Sequence, residues 1–208
     1  MKYFEIEDRG ETIRIAIQFA SRYKVGAKSD LLARTLGKRK NVRKQNLLVV
    51  DATAGLCRDS VHFLSLGCEV VALERNSQLY EAFSQLPSPA NFRLVHAEAV
   101  QWLSHLSKAI LGGGDHVRPD VVYLDPMFPE KKKSAAASKE SRILQLLETP
   151  PTPDEERELL RAARGVAGDR VIVKRPKHAP WLAGEKPSHE FLGKAVRYDV
   201  YVTPKQIF

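Results

Sequence analysis

The feature that most constrains the fold is a series of short, largely apolar runs, each followed by a charged or polar residue. The runs begin at residue 47 and occupy 47–50, 69–73, 92–95, 120–124, 170–173 and 197–202. Helical patterns lie between most of them, over 58–66, 77–85, 98–110 and 154–165. Short apolar strands that alternate with helices are typical of a mostly parallel sheet covered on both faces. We therefore predict an α/β domain over residues 47–208.

Acidic side chains follow four of these predicted strands in succession. Asp51, Glu74 and Asp125 come directly after their strands, and Glu98 comes shortly after another. In an open α/β sheet the ligand crevice lies beyond the carboxyl ends of the strands. Any α/β domain places polar residues there, so one such carboxylate would mean little. Four in succession predict a binding rim.

The loop after the first strand indicates which ligand this rim would bind. Residues 51–59 read DATAGLCRD and contain one glycine, Gly55. A dinucleotide site needs three spaced glycines and a P-loop needs Gly-Lys-Ser/Thr, so both are disfavoured. One glycine suits a phosphate-free ligand whose carboxylate lies near the next helix N-terminus. With Glu74 accepting from ribose hydroxyls and Glu98-Ala99 near an adenine, the set resembles the S-adenosylmethionine site of class I methyltransferases.

The segment after the fourth strand predicts the chemistry. Asp125-Pro126-Met127-Phe128 resembles the Asp/Asn-Pro-Pro-Phe/Tyr segment of methyltransferases that modify exocyclic amines. The Asp125 side chain and the Pro126 carbonyl would accept hydrogen bonds from the NH₂ group, and proline fixes the backbone that carries this carbonyl. Phe128 would stack on the base, as aromatic side chains do with unstacked nucleobases. The predicted catalytic residues are thus Asp125, Pro126 and Phe128.

The charge of the chain indicates a polyanionic partner. Its 33 Lys and Arg residues outnumber 25 Asp and Glu residues, which gives a formal net charge of +8. The basic residues cluster at 38–44, at Lys131, Lys132 and Lys133, and at 174–177. Such clusters are typical of phosphate-binding surfaces, so we predict a nucleic acid substrate.

The remaining features limit the class of protein. Residues 1–46 are predicted to form a separate basic extension, with a strand at 11–19 and a capped helix at 29–36. No apolar run is long enough to span a membrane, and the N-terminus does not have the pattern of a secretory signal. Two cysteines, without a Cys/His cluster, predict no metal site and a reducing cytoplasmic location.

Several segments resemble the RsmJ family, bacterial methyltransferases that modify a guanine N2 in 16S ribosomal RNA. They are DATAGLCRD (51–59), ALERN (72–76), VVYLDPMFPEKKKSA (121–135), VIVKRPKHAPWL (171–182) and RYDVY (197–201). The resemblance implies a class I, Rossmann-like fold with a mostly parallel seven-stranded sheet. It implies cofactor contacts at Arg58, Asp59, Glu74, Arg75, Glu98, Ala99 and Asp125, to which the loop pattern after the first strand adds Asp51 and Gly55. It also implies that the strand end with Lys174 and Arg175 belongs to the substrate face. Lys131, Lys132 and Lys133 immediately follow the predicted target-base segment, so we predict that they bind RNA phosphates as well.

Two positions depart from the family pattern. The family usually has Gly where this chain has Cys57, and often has small hydroxyl residues where this chain has Glu98-Ala99. The first 46 residues match weakly.

Three functions remain open at the level of the residues. The first is guanine-N2 methylation of small-subunit rRNA, either free or assembled into the 30S subunit. The second is adenine-N6 methylation of DNA or another RNA. The third is an RNA-binding protein that keeps the fold without catalysis. The residue chemistry of 125–128 does not separate the two amines, and the resemblance alone favours guanine. The oligomeric state is left open.

Overall fold

The computed structural model describes residues 2–8, 10–19, 30–37, 47–113, 116–128 and 138–204. The strands in it are β1 Lys2–Asp8, β2 Glu11–Ile17, β3 Leu48–Asp51, β4 Glu69–Glu74, β5 Phe92–His96, β6 Val121–Leu124, β7 Arg170–Pro176, β8 His189–Leu192 and β9 Val196–Val202. The α-helices are α1 Leu31–Thr35, α2 Arg58–Ser65, α3 Ser77–Ser84, α4 Ala99–Leu111, α5 Lys139–Leu147 and α6 Pro153–Val166.

Seven strands form one sheet in the order β5-β4-β3-β6-β7-β9-β8. The strands from β5 to β7 are parallel, whereas β9 pairs antiparallel with both β7 and β8. The predicted mostly parallel, seven-stranded, Rossmann-like sheet is confirmed. The chain leaves β3 in one direction to build β4 and β5, and later returns to place β6 on the other side. This reversal opens a crevice at the carboxyl ends of β3 and β6.

Both faces of the central parallel strands β3, β4 and β6 are buried, which is why these strands are largely apolar. Val49 and Val70 point into one core, together with side chains of α1, α2, α3 and α5. Their sequence neighbours Val50 and Val71 point into a second core, beside side chains of α4 and α6. This alternation follows from the period of two along a strand.

The N-terminal region packs on the first of these cores. The strand predicted at 11–19 is β2, and it forms an antiparallel hairpin with β1, which the sequence patterns did not predict. Phe4, Ile13, Ile15 and Ile17 bury one face of this hairpin in the first core. The predicted capped helix is α1, which begins after Asp30; the Asp30 side chain accepts a hydrogen bond from the Ala33 N–H. The basic run at 38–44 lies outside the described residues, and the domain boundary at 46 stays a prediction.

Two further elements were not predicted from sequence. Helix α5 begins after Ser138, whose side chain caps it, and it buries Ile143 fully. Strand β8 forms the edge of the sheet, and most of its residues are exposed, so it lacks an apolar pattern. Helix α6 matches its prediction closely because Thr152 and Glu155 form a capping box before an amphipathic run.

Candidate active site

A cavity of about 680 Å³ lies at the carboxyl ends of β3, β4 and β6. Its walls come from the loop after β3, the starts of α4 and α6, and one side of α5. All four carboxylates of the predicted rim, Asp51, Glu74, Glu98 and Asp125, line it. The structure therefore brings together the residues that the strand pattern placed on one edge.

The loop after β3 turns sharply to form the floor of this cavity. Gly55 has a φ of +50°, and a Cβ at this position would approach Leu144 of α5 to 3.3 Å. Cys57 also has a left-handed backbone, with φ 54°, although it carries a side chain. This backbone conformation explains why the RsmJ family usually has glycine at this position, because glycine adopts it without steric cost.

Asp51 stabilises this loop from inside. Its side chain accepts hydrogen bonds from the Ser60 hydroxyl and, at 3.2 Å, from the Thr53 N–H. Burial raises the pKa of Asp51 to about 7, against the opposing effect of the Ser60 hydrogen bond. Asp51 is only 1% exposed. Its position therefore indicates that it shapes the loop that contacts the ligand.

Glu74 holds the opposite side of the same loop. One of its carboxylate oxygens accepts a hydrogen bond from the Gly55 N–H at 2.7 Å, and the other accepts from the Asn76 N–H at 2.7 Å. Burial is the main cause that raises the pKa of Glu74 to about 7. A carboxylate offers about four lone-pair sites, so two remain for a pair of ribose hydroxyls. The geometry fits the predicted role of Glu74.

The two arginines of the predicted cofactor site hold helix α5 over the cavity. Arg58 donates to Glu140 at 2.7 Å and to the Ala16 carbonyl at 3.2 Å. Arg75 forms an ion pair with Glu148, directly after α5. Both arginines and both glutamates line the cavity. A cofactor contact by either arginine would therefore be made in addition to its bond to the α5 region. Glu140 and Glu148 were missed because nothing in the sequence near them indicated that α5 closes the site.

Glu98 and Ala99 lie at the start of α4. The Glu98 carboxylate accepts hydrogen bonds from the Val100 N–H at 3.0 Å and the Gln101 N–H at 2.8 Å, and so caps this helix. Both Glu98 and Ala99 line the cavity, and their contact with an adenine stays a prediction. The capping role explains why a carboxylate serves at a position where the family often has a small hydroxyl residue.

The reacting end of the cavity is built around Asp125. The Asp125 N–H donates to the Thr53 hydroxyl at 2.6 Å, which fixes the segment against the loop after β3. The Lys174 ammonium donates to Asp125 at 2.9 Å and to Asp59 at 2.7 Å. The Tyr123 hydroxyl donates to the same Asp59 oxygen at 2.7 Å. Thr53 was missed as a site residue, although it lies within the loop that the sequence singled out.

The protonation of this group follows from burial and charge. Burial lowers the pKa of Lys174, but the carboxylates of Asp125 and Asp59 outweigh it and raise that pKa well above its ordinary value. Burial raises the pKa of Asp125, the Lys174 ammonium opposes this, and the Asp59 carboxylate reinforces it. Lys174 therefore stays an ammonium at neutral pH.

The predicted RNA-binding residues are only partly described. Lys131, Lys132 and Lys133 lie outside the described residues. Lys174 lines the cavity, where its ammonium donates to Asp125 and Asp59. Arg175 is 2% exposed and donates to Glu156 at 3.0 Å, so its burial does not fit direct contact with a phosphate group.

The lining of the cavity favours a cationic ligand. Its acidic members outnumber its basic ones: Asp51, Asp59, Glu74, Glu98, Asp125, Glu140, Glu148, Glu155 and Glu158 face Arg58, Arg75 and Lys174. S-adenosylmethionine carries a sulfonium, an ammonium and one carboxylate, so its net charge matches this field. Among the residues that the structure describes, there is no group of His, Cys, Asp and Glu side chains suited to a metal ion. In the same part of the chain, no helix has the length and apolarity to cross a membrane.

Comparison with known proteins agrees with the fold and identifies the class of protein. The model of the family described as "Putative SAM-dependent methyltransferase" matches residues 11–203. A solved SAM-dependent methyltransferase from Neisseria gonorrhoeae is 32% identical, with a TM-score of 0.58 over 76% of this chain and 66% of that one. A second one, from Agrobacterium tumefaciens, shares the fold at 10% identity, with a TM-score of 0.52 over 96% of this chain and 70% of that one. The fold and site thus define a class I methyltransferase that uses S-adenosylmethionine.

Curated relatives narrow this class. "Ribosomal RNA small subunit methyltransferase J" of Thioalkalivibrio sulfidiphilus is 40% identical over 86% of this chain and 70% of its own length. The protein of the same name from Pseudoalteromonas atlantica is 37% identical over 94% of this chain and 79% of its own length. The chain therefore belongs to the ribosomal RNA small subunit methyltransferase J family, which confirms the resemblance found in the sequence.

Gly55→Ala should weaken the binding of S-adenosylmethionine by about tenfold, because the left-handed backbone at Gly55 becomes strained in the loop that forms the cavity floor and the new Cβ, 3.3 Å from a Leu144 methyl group, must push that side chain aside. Gly113→Ala is the matched control, since Gly113 also has a positive φ but has no neighbouring atoms within 4 Å of the added Cβ. Calorimetric titration would compare the two variants, and equal losses of affinity would contradict this role of Gly55.

The affinity for S-adenosylmethionine should rise with pH through about 7, where Glu74 loses its proton. The ionised carboxylate is the better acceptor for ribose hydroxyls, so binding strengthens as the pH rises past this pKa. Glu74→Gln should bind more weakly and lose most of the dependence when titrated from about pH 6 to about pH 8. If the variant kept the full rise, another group, such as Asp51, would be the one that titrates.

Proposed function

We propose that the protein methylates the exocyclic N2 of a guanosine in the 16S rRNA of the small ribosomal subunit. The names of its relatives refer to small-subunit ribosomal RNA. The choice of guanine N2 comes from the resemblance of residues 121–135 to the RsmJ family. The observation that carries the proposal is the position of Asp125, Pro126 and Met127 on the wall of the same cavity as Glu74.

Asp125 and Pro126 would hold the amine. One Asp125 oxygen accepts from Lys174. Within the described part of the chain, the other has no hydrogen-bond partner, and the Asp125 side chain is 38% exposed. This free oxygen and the Pro126 carbonyl would each accept a hydrogen bond from one N–H group of the amine, and so orient the nitrogen lone pair. Fixed orientation of this kind supplies a large part of the rate enhancement in bimolecular transfer.

The cofactor, when bound by the Glu74 side of the cavity, supplies an electrophilic methyl group on sulfur. Asp125 contributes a negative charge beside the amine, whose nitrogen becomes more positive as it is alkylated. The amine must also lose one proton, and the Asp125 oxygen that accepts its N–H bond would receive it or pass it to water. Phe128 would support the base by stacking.

The substrate would have to present its guanine outside a base-paired helix. A base inside a duplex cannot place its exocyclic amine in a cavity of this kind without being flipped out. Both protein-free 16S rRNA and the assembled 30S subunit are candidate forms of the substrate. Because ribosomes are cytoplasmic, we propose the cytoplasm as the location.

Asp125→Asn should lower the rate of methyl transfer by about a hundredfold or more, while the affinity for S-adenosylmethionine falls much less. The amide keeps the shape of the side chain but loses its charge. Asp154→Asn is the matched control, because Asp154 lies on the surface of α6 with 82% of its side chain exposed. Transfer of labelled methyl groups would be measured on 30S subunits and on protein-free 16S rRNA.

The product nucleoside would then be identified by mass spectrometry, and N2-methylguanosine is expected. N6-methyladenosine would contradict the proposed product, and full turnover by Asp125→Asn would contradict the role given to the Asp125 charge. A higher rate on one of the two substrates would identify the form that the protein acts on.

Simultaneous replacement of Lys131, Lys132 and Lys133 by Ala should weaken RNA binding and lower the salt dependence of affinity. Three lost phosphate contacts would reduce the slope of log affinity against log salt by about two. The control removes Lys108 and Lys186, neither of which lines the cavity. Affinities measured across a salt series would test this, and an unchanged slope for the triple variant would show that these lysines do not contact phosphate.

A further inference from the structure

Lys174 lies on β7, next to the strand that leads into the Asp-Pro-Met-Phe segment. Its ammonium is 2.9 Å from a carboxylate oxygen of Asp125 and 2.7 Å from one of Asp59. The side chain is 24% exposed and lines the cavity. The ammonium thus joins α2, β7 and the segment after β6.

This arrangement makes Lys174 a poor phosphate contact. Its charge is compensated by two carboxylates, so an RNA phosphate would have to compete with both in a partly desolvated place. Breaking either of these ion pairs would leave a partly desolvated charge without its partner, which is unfavourable. The basic cluster at 174–177 in the sequence is therefore not a single solvent-facing patch.

Arg175, the next residue along β7, contacts Phe128 at the other end of the Asp-Pro-Met-Phe segment. The Arg175 guanidinium lies 4.8 Å from the centre of the Phe128 ring. Glu156 and the Pro180 carbonyl hold this guanidinium in place, at 3.0 Å and 3.3 Å. The end of β7 thus contacts both Asp125 and Phe128, the two side chains that would face the target base.

We propose that Lys174 is a positioning residue, whose ammonium holds the Asp125 carboxylate in one orientation at the cavity, with its other oxygen free for the target amine. The proposal rests on the proposed function, in which Asp125 accepts the N–H bonds of that amine. Lys174 touches neither the amine nor the methyl group in this account. It acts only through Asp125.

The charges around Asp125 predict how the loss of Lys174 would be observed. The charged and titratable groups that face Asp125 come from four elements: Asp51 of β3, Asp59 of α2, Tyr123 of β6, and Lys174 and Arg175 of β7. Without the ammonium, two neighbouring carboxylates and burial would all favour protonated Asp125. The acidic limb of the pH–rate profile should then move to higher pH.

The test compares Lys174→Met, Lys174→Gln and Lys174→Arg with the exposed control Lys186→Met in the full chain. Methyl transfer to 16S rRNA would be followed from about pH 6 to about pH 9, with kcat and KM determined separately. We expect kcat of Lys174→Met to fall by about tenfold or more. The acidic limb should move up by about one pH unit in Lys174→Met. Lys174→Arg keeps the positive charge, so the acidic limb of its pH–rate profile should stay at the wild-type position.

Lys174→Gln keeps hydrogen-bonding capacity without the charge, so it tests the proposal even if Lys174→Met unfolds. It should show the same shift of the limb. RNA affinity and its salt dependence, measured in parallel, should stay at the wild-type level in every Lys174 variant. A lower salt slope together with an unmoved pH profile would overturn the proposal and make Lys174 a phosphate contact.

Asp125→Asn, measured under the same conditions, separates the positioning role of Lys174 from the role of Asp125 itself. If Asp125→Asn is inactive but the Lys174 variants keep the wild-type pH profile, the positioning role is wrong and the function of Asp125 stands. If Asp125→Asn is fully active, the role of the Asp125 charge in the proposed function fails, and the positioning role of Lys174 fails with it. If the product is not N2-methylguanosine, the proposed function fails whatever the Lys174 variants show.

Discussion

A buried carboxylate destabilises a protein unless hydrogen bonds or a cation compensate for its lost hydration, and this requirement organises the cavity edge of the sheet. Asp51 is compensated by Ser60 and by the backbone of its own loop. Glu74 accepts two backbone N–H bonds, one of them from Gly55 across the cavity floor. Asp125 is only partly buried, and it accepts from the Lys174 ammonium. Each compensation joins two elements, so the same bonds that keep the carboxylates stable also fix the shape of the site.

The excess of acidic side chains then has a functional consequence. The cavity presents a negative field to a cofactor whose methyl group is carried on a sulfonium, and transfer removes that positive charge. A cationic cofactor is favoured over its neutral thioether product by such a field. Helix α5 completes the enclosure through Arg58–Glu140 and Arg75–Glu148, so the two arginines predicted to contact the cofactor also hold this helix over the cavity.

The sheet and the acidic rim could be predicted because they depend on local patterns. Strands buried on both faces are apolar throughout, and parallel strands bring their carboxyl ends to one edge, so the residues after them meet without any knowledge of long-range contacts. Helix α5 and strand β8 lacked this signal: α5 fully buries one side chain, Ile143, and β8 is a mostly exposed edge. The ion pairs of Lys174 and Arg175 join residues far apart in sequence. From the sequence alone, the cations at 174–177 were therefore interpreted as one surface patch. In the strand, however, the side chains of successive residues such as Lys174 and Arg175 face opposite sides of the sheet.

Nucleoside mass spectrometry of 16S rRNA would show whether this protein methylates a guanine N2 in cells. The rRNA would come from cells that lack this protein, and from the same cells supplied with the wild-type chain or with Asp125→Asn. We expect one N2-methylguanosine to be missing in the deletion strain, to return with the wild-type chain and to stay missing with Asp125→Asn. An unchanged N2-methylguanosine content in the deletion strain, or its full return with Asp125→Asn, would contradict the account.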